Sequence, residues 1–193
     1  MLFRSAALLS RPPVAFTTAV SFITTFSFQA YASFFPTFLI EFHGLSTQRA
    51  GVAFGTVFLL STIVQPVVGR VSDRISRDAV LTACFLLTVA GLVTVLTAGT
   101  LPIVALGVAT LGVGMSWFGV LQARFMDMFA DAERGSGFGL VRTVFIFLGA
   151  FGSVVTGTLA DVSGWPAAYG AVVVLLGIAA VALVSNRLLR LGL

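Results

Sequence analysis

Six long apolar segments, separated by short polar loops, dominate this sequence. They cover residues 14–40, 50–69, 79–98, 101–121, 136–160 and 166–184. Each can cross the roughly 30 Å hydrocarbon core of a bilayer as an α-helix, which rises about 1.5 Å per residue. Charged residues make up only 9% of the chain, against about 25% in soluble domains. The sequence therefore predicts an all-α, multi-pass membrane protein, with residues 1–193 forming a single six-helix transmembrane domain.

The positions of the arginines predict how the chain is oriented. Every basic residue is an arginine, and if the six segments alternate in direction, ten of the 11 lie on one side. Arg49 lies on the other side. Because cytoplasmic loops carry an excess of basic residues, both termini are predicted to be cytoplasmic. We expect a location in the cell membrane with the lipid bilayer as partner; the net charge of +4 reflects this topology, so no nucleic-acid partner is expected.

The stretch Gly69–Asp78 holds the densest cluster of charge, with three arginines and two aspartates. Charges are costly in hydrocarbon, so the stretch predicts a turn outside the membrane core, where Gly69 would let a neighbouring helix approach. The same glycine–aspartate spacing recurs at Gly157 and Asp161, at the end of the fifth segment and on the opposite side. This echo favours two three-helix repeats of inverted topology.

Two patterns within the apolar segments predict contacts between helices. The fourth and fifth segments are rich in glycines, which let helix backbones pack closely in lipid. In the first segment, polar side chains recur every three to four residues, at Thr18, Ser21, Thr25, Gln29 and Ser33. Such a stripe lies on one side of a helix. Two interpretations stay open: hydrogen bonds to other helices, or one wall of a water-lined pathway.

The charged stretch resembles the hallmark loop of the major facilitator superfamily of secondary transporters. That loop reads roughly Gly-x-Leu-Ala-Asp-Arg-x-Gly-Arg-Arg, and it is matched here at Gly69, Asp73, Arg74 and Arg77. Residues 134–139 and 157–165 are similar to the entry and exit of the fifth helix of a family half. Family members normally have twelve helices in two halves. The resemblance therefore implies one half of that fold, more like the C-terminal half.

Membership of this family implies transport of a small solute by alternating access. It also implies a second six-helix half, supplied by a separate chain, a missing N-terminal half or a homodimer. The hallmark loop would act as a gating latch: Asp73 would tie this half to a helix across the interface, and Arg77 would pair with an acidic residue below the fourth helix. The acidic candidates are Asp127, Asp131 and Glu133.

Arg142 lies inside the fifth segment, and three interpretations of it stay open. Its side chain could extend to the cytoplasmic interface, pair with Asp127 or Asp131, or meet an anionic solute. In the family the first and fourth helices of a half line the solute pathway. The candidates for cavity lining are accordingly Thr25, Gln29, Ser33, Met115 and Trp117, although Trp117 could equally pack against glycine-rich neighbours.

Other functional classes fit the sequence less well. A rhomboid-type intramembrane protease would need a base near Ser116, but the chain's single histidine, His43, lies in the first outer loop and cannot reach it. No cysteine–histidine cluster or repeated carboxylate suggests a metal site. We therefore expect no enzymatic activity and no cofactor. A truncated or non-transporting membrane subunit stays open as the alternative to a transporter.

Overall fold

The computed structural model describes residues 11–130 and 134–193, and these residues are almost entirely helical. The helices are α1 (Pro12–His43), α2 (Thr47–Arg74), α3 (Arg77–Thr97), α4 (Leu101–Gly114), α5 (Phe118–Met128), α6 (Arg134–Gly149), α7 (Phe151–Ser163) and α8 (Trp165–Leu188). A 3₁₀ turn, Met115–Trp117, joins α4 to α5 as one rod, the fourth. Ala150 joins α6 to α7 as the fifth rod. The predicted all-α fold with six rods is confirmed.

Local sequence explains where the rods begin and end. Prolines occupy the first turns of α1, α4 and α8, where a missing backbone N–H costs nothing. Gly44 ends α1 in the left-handed conformation, with φ 65°, which glycine adopts without strain. Ser46 and Ser76 cap α2 and α3 by accepting hydrogen bonds from the backbone N–H groups of Arg49 and Ala79, both at 3.4 Å. Short polar loops thus turn the chain back on itself.

Five of the rods, the second to the sixth, are long and apolar enough to cross a membrane. The first rod, α1, has 32 residues and carries the polar stripe, and it is not among these five. In the sequence this stripe left two interpretations open. The packing described next places α1 inside the bundle, so the stripe lies against protein or the central space.

The rods pack in reciprocal pairs. α1 of the first three-rod repeat packs against the fifth rod, and α2 packs against α4 of the second repeat. The third rod of the first repeat, α3, packs against the third rod of the second, α8. If the two repeats are exchanged, the pair of the first and fifth rods becomes the pair of the fourth and second rods, and the pair of the third and sixth rods is unchanged. Two inverted repeats produce this arrangement.

Glycines permit the closest approaches between rods. A Cβ atom on Gly91 of α3 would lie 2.5 Å from the backbone nitrogen of Leu111 in α4. One on Gly114 would lie 2.5 Å from the backbone nitrogen of Thr88. A side chain on Gly152 of α7 would overlap the carbonyl group of Phe26 in α1. At these three positions the glycines are packing surfaces, because a larger residue would push the helices apart.

The stretch at residues 69–78 differs from the predicted turn. α2 continues as a helix to Arg74 and α3 begins at Arg77, so only Ile75 and Ser76 lie between them. Because charges are costly in hydrocarbon, we expect these helix ends to extend beyond the apolar core. The prediction that Gly69 admits a neighbouring helix finds no neighbour here: among the described residues, no atom lies within 4 Å of its Cβ position.

Candidate functional site

A cavity of about 350 Å³ opens between the first, second, fourth and fifth rods. Its walls come from four chain segments that pack in pairs, α1 with α6 and α2 with the fourth rod. Most of its lining is aromatic or aliphatic, with a few polar side chains and one charge. The lining residues are Thr24, Thr25, Phe28, Gln29, Val57, Phe58, Ser61, Met115, Trp117, Phe118, Leu121, Gln122, Phe125, Phe138, Arg142, Phe145, Ile146 and Ala150.

Four of the five side chains proposed from the sequence for a cavity lie in this wall. They are Thr25 and Gln29 on α1, and Met115 and Trp117 in the fourth rod. Ser33 does not: the lining on α1 ends at Gln29, and Ser33, one turn further on, is exposed beyond the cavity. The helical period shows that Ser33 lies on the same face of α1 as Thr25 and Gln29. It does not show how far along the helix the cavity extends.

The 3₁₀ turn at Met115–Trp117 shapes the fourth-rod wall. The tight contact of Gly114 with α3 fixes the rod immediately before the turn. Within the turn, the Ser116 hydroxyl donates to the Ser61 carbonyl oxygen of α2 at 3.3 Å. Trp117 is buried and packs edge-on against Phe85, with ring centroids 5.7 Å apart. Trp117 thus packs in the core and also lines the cavity, and the ring it contacts belongs to Phe85 of α3 rather than to a glycine-rich segment.

Among the described residues, Arg142 is the one charged side chain in the cavity wall. It lies eight residues into α6, about 12 Å from the start of that helix. Of the two acids considered for it, Asp127 is bound to Arg77 instead, and Asp131 lies outside the described residues. Within residues 11–130 and 134–193, Arg142 makes no hydrogen bond or ion pair, and no carboxylate lines the cavity.

Aromatic rings flank this arginine. Phe138 and Phe145 lie four residues before and three residues after it, so the three share one face of α6. Both rings pack on Phe125 of α5, at centroid distances of 5.7 and 6.0 Å. Across the cavity, Phe28 and Phe58 meet edge to face at 6.1 Å. Arg142, which is itself exposed, thus lines a space whose other walls are mostly aromatic and aliphatic.

A second group of charges surrounds Arg77 at the end of the bundle where α2 meets α3. Its guanidinium forms an ion pair with Asp73 of α2 and another with Asp127 of α5, the latter with 3.0 Å between Nε and Oδ2. It also donates to the Ser72 hydroxyl oxygen at 2.8 Å. This cluster joins three helices, and we call this end of the bundle the Arg77 end.

The remaining residues proposed for the latch are placed as follows. Arg74 is exposed on the last turn of α2, and Gly69 faces open space. Asp131 and Glu133 lie outside the described residues. Of the three acidic candidates below the fourth helix, Asp127 is the one that contacts Arg77.

A buried polar cluster at the Arg77 end was not found from the sequence. Asp78 and Arg124 form an ion pair and are only 7% and 8% exposed. The Asn186 side-chain amide donates to Asp78 Oδ2 at 2.6 Å, and Arg124 Nε donates to the Thr17 hydroxyl at 2.9 Å. Arg124 also lies over the Phe16 ring, 5.6 Å from its centroid. These contacts link α1, α3, α5 and α8.

One sequence signal could have indicated part of this cluster. Arg124 follows Leu121 by three residues and precedes Phe125, and all three are buried on one face of α5. A charge on an apolar helix face predicts a buried partner. Arg124 is also one of the ten arginines on the predicted cytoplasmic side. No local sequence pattern identifies Asp78 or Asn186 as its partners.

Comparisons with known proteins agree on one family. A family model described as Major Facilitator Superfamily matches residues 17–189. The fold is similar to that of a POT family transporter, PepTSo, with a TM-score of 0.77 and 16% identity over 91% of this chain. It is also similar to a mutant of the peptide transporter POT in complex with alafosfalin, with a TM-score of 0.77 and 20% identity over 90% of this chain.

Each match covers nearly all of this chain but a much smaller share of the transporter chain. The chain covers only 37% and 38% of the two transporter chains, so it corresponds in length to less than two fifths of each. At such low identity the likeness concerns the fold alone. Comparison with curated proteins gave no match.

Proposed function

The chain belongs to the Major Facilitator Superfamily, and on that premise we propose that it is one half of a secondary transporter that moves a small solute by alternating access. The coarser statement, a multi-pass membrane protein with the fold of this transporter family, follows from the family match and the similar structures. The proposal adds that the cavity between the four rods is half of a solute pathway, and that a second six-helix half completes it.

The observation that carries the proposal is the uneven covering of the rods. In the most apolar windows of the third, fourth and sixth rods, 39–50% of residues are buried, against 6% for α2 and 17% for the fifth rod. The exposed faces of α2 and the fifth rod carry large apolar side chains such as Ile63 and Phe147, which are 61% and 67% exposed. These two rods border the cavity.

The charge in the cavity argues that protein rather than lipid alone covers these rods. Arg142 lines the opening between α2 and α6. A charged side chain inside the membrane is costly unless it faces protein or water. A second half placed over α2 and the fifth rod would enclose this guanidinium in a water-filled space. The sequence predicts a neighbouring helix beside Gly69, and the space there is open. A helix of the second half could occupy it.

We further propose that the Arg77 cluster is the latch of this transporter. It joins α2, α3 and α5 through Asp73 and Asp127. Both carboxylates are well exposed, with side-chain exposures of 63% and 59%. Exposed ion pairs contribute only about 0–1 kcal/mol each, so such a cluster can open without unfolding the bundle. That is the property required of a contact that forms in one state and breaks in the other.

Photo-crosslinking in membranes tests whether a second half covers these rods. p-Benzoylphenylalanine would be placed at Ile63 or Phe147, and the matched controls carry it at Leu86 of α3 or Ile178 of α8. Both control positions are also exposed apolar residues, at 54% and 55%. We expect protein adducts from the first pair and lipid adducts from the controls.

Mass spectrometry identifies what is captured. An adduct of twice the mass indicates a homodimer, and an adduct with another polytopic six-span chain indicates a separate half. If all four positions capture only lipid, the chain functions without a second half, and the transporter proposal is contradicted in favour of a non-transporting membrane subunit.

A further inference from the structure

The cavity wall specifies a class of solute. Resting on the proposed function, we infer that the cavity binds an amphipathic organic monoanion, a carboxylate or similar acid carried on an aromatic or other apolar body. Arg142 would bind the anionic group, and the surrounding rings would hold the body. Nothing in the fold comparison implies this class, because the likeness to the two solved transporters concerns the fold alone.

The first argument is the charge balance of the cavity. Arg142 contributes a positive charge to the wall, and none of the described lining residues contributes a negative one. Asp127, the acid closest to it in sequence among the described residues, already binds Arg77. An anion entering the cavity would therefore find a guanidinium with its donors free of contacts to described residues. A cation would meet repulsion from this guanidinium, which no described lining carboxylate offsets.

The second argument is the geometry of the guanidinium itself. Its planar fork of N–H donors matches the two oxygens of a carboxylate, and such paired hydrogen bonds are among the strongest in proteins. The side-chain amides of Gln29 and Gln122 also line the cavity and make no hydrogen bond with another described residue. They can donate to the same acid or to a polar substituent on the solute.

The third argument is the apolar character of the remaining wall. Phe138 and Phe145 lie beside Arg142 on α6, and Phe28 and Phe58 face them from α1 and α2. Small polar anions such as phosphate would leave these rings in contact with water and gain nothing from them. An aromatic or aliphatic body would bury them, which contributes about 25 cal/mol per Å² of apolar surface. The cavity thus favours one charge on a large apolar body.

Three probes with the same naphthalene body separate charge from shape. Radiolabelled 1-naphthoate, 1-naphthamide and 1-naphthylmethylammonium carry charges of −1, 0 and +1 in neutral buffer. Binding is measured by scintillation proximity on the full chain in lipid nanodiscs, and empty nanodiscs correct for partition into lipid. We expect 1-naphthoate to bind at least about tenfold more tightly than the amide, as a charge-assisted bidentate contact implies, and the ammonium compound to bind most weakly.

Substitutions at Arg142 assign the effect to this residue. Arg142→Gln should weaken 1-naphthoate binding about tenfold or more and leave 1-naphthamide binding within about twofold, because only the charged contact is lost. Arg142→Lys should retain part of the preference through its charge. The matched control is Arg187→Gln, which removes an exposed arginine from the last turn of α8, outside the cavity, and should change neither affinity.

The outcomes separate this inference from the proposed function. Equal binding of the acid and the amide would overturn the monoanion assignment while leaving the cavity as a solute site. Absence of binding by all three probes, or an Arg142→Gln variant that still prefers the acid, would also overturn it. The crosslinking of a second half to α2 and the fifth rod does not depend on any of these results, so the transporter proposal stands or fails by its own test.

Discussion

The buried ion pair of Asp78 and Arg124 gives the sharpest test of how the bundle is held together. Asp78→Asn keeps the shape of the side chain and an acceptor for Asn186, but leaves Arg124 as a buried cation with no carboxylate partner. Its remaining contacts are uncharged: the Thr17 hydroxyl, the Leu193 carbonyl oxygen and the Phe16 ring. Breaking a buried pair from one side costs about 3–5 kcal/mol. We therefore expect Asp78→Asn to lower the free energy of unfolding by about that amount.

The reverse change and the double variant show whether the cost comes from the pair. Arg124→Leu leaves Asp78 with one hydrogen bond, from Asn186 at 2.6 Å, so its cost should lie at the lower end of about 3–5 kcal/mol. The double variant Asp78→Asn/Arg124→Leu contains no unpaired charge at this site. Its cost should therefore fall below the sum of the two single costs by about 2–3 kcal/mol, within the range observed for directly contacting residues.

Unfolding by SDS in mixed micelles provides the measurement. Trp117, which is 4% exposed and packs on Phe85, reports unfolding by fluorescence once Trp165 is replaced by Phe in every variant. Asp161→Asn is the matched control: it removes an exposed carboxylate at the end of α7 and should change stability by less than about 0.5 kcal/mol. Single variants that cost less than about 1 kcal/mol, or a double variant equal to the sum of both, would refute the reasoning.

Three further predictions concern packing, gating and topology. Gly152→Ala should lower stability by about 1–3 kcal/mol because its Cβ overlaps the α1 backbone, whereas Gly139→Ala, with no atom within 4 Å, should be tolerated in the same SDS assay. Asp73→Asn should reduce transport of the solute while membrane insertion, measured by carbonate extraction, stays unchanged; unaltered transport would remove the latch role. In intact cells, an impermeant maleimide should label Ser46→Cys but not Ser76→Cys, and the opposite pattern would invert the predicted orientation.

The rods and the family could be predicted from the sequence because both signals are local. Apolar runs of about 20 residues determine helices in a membrane almost independently of context. The spacing of Gly69, Asp73 and Arg77 carries the family resemblance in one short stretch. The sequence predicted a turn at residues 69–78, whereas α2 continues to Arg74. A cluster of charges indicates that residues leave the hydrocarbon, but it does not indicate where the helix ends.

The cavity could be predicted only in part. The period of α1 identified the face that carries Thr25 and Gln29. Ser33, on the same face, lies outside the wall of this cavity, because the depth of a cavity depends on which rods cross at that level. The contact of Arg77 with Asp127 was one of several pairings considered. The cluster of Asp78 with Asn186 was missed, since it joins residues 108 positions apart and only the packing of α3 against α8 brings them together.

The position of the Asp78–Arg124 pair has a consequence for how the protein is made. Both residues lie at the Arg77 end, and on the predicted topology that end stays in the cytoplasm, so neither charge crosses the bilayer during insertion. Asp78 leaves the ribosome 46 residues before Arg124, and Asn186 follows much later. On that topology the Asp78 carboxylate is in the aqueous compartment until the fourth rod, which contains Arg124, has been synthesised. The contact between Asn186 and Asp78 forms only after the sixth rod has been synthesised, so the cluster joins rods made early and late in translation.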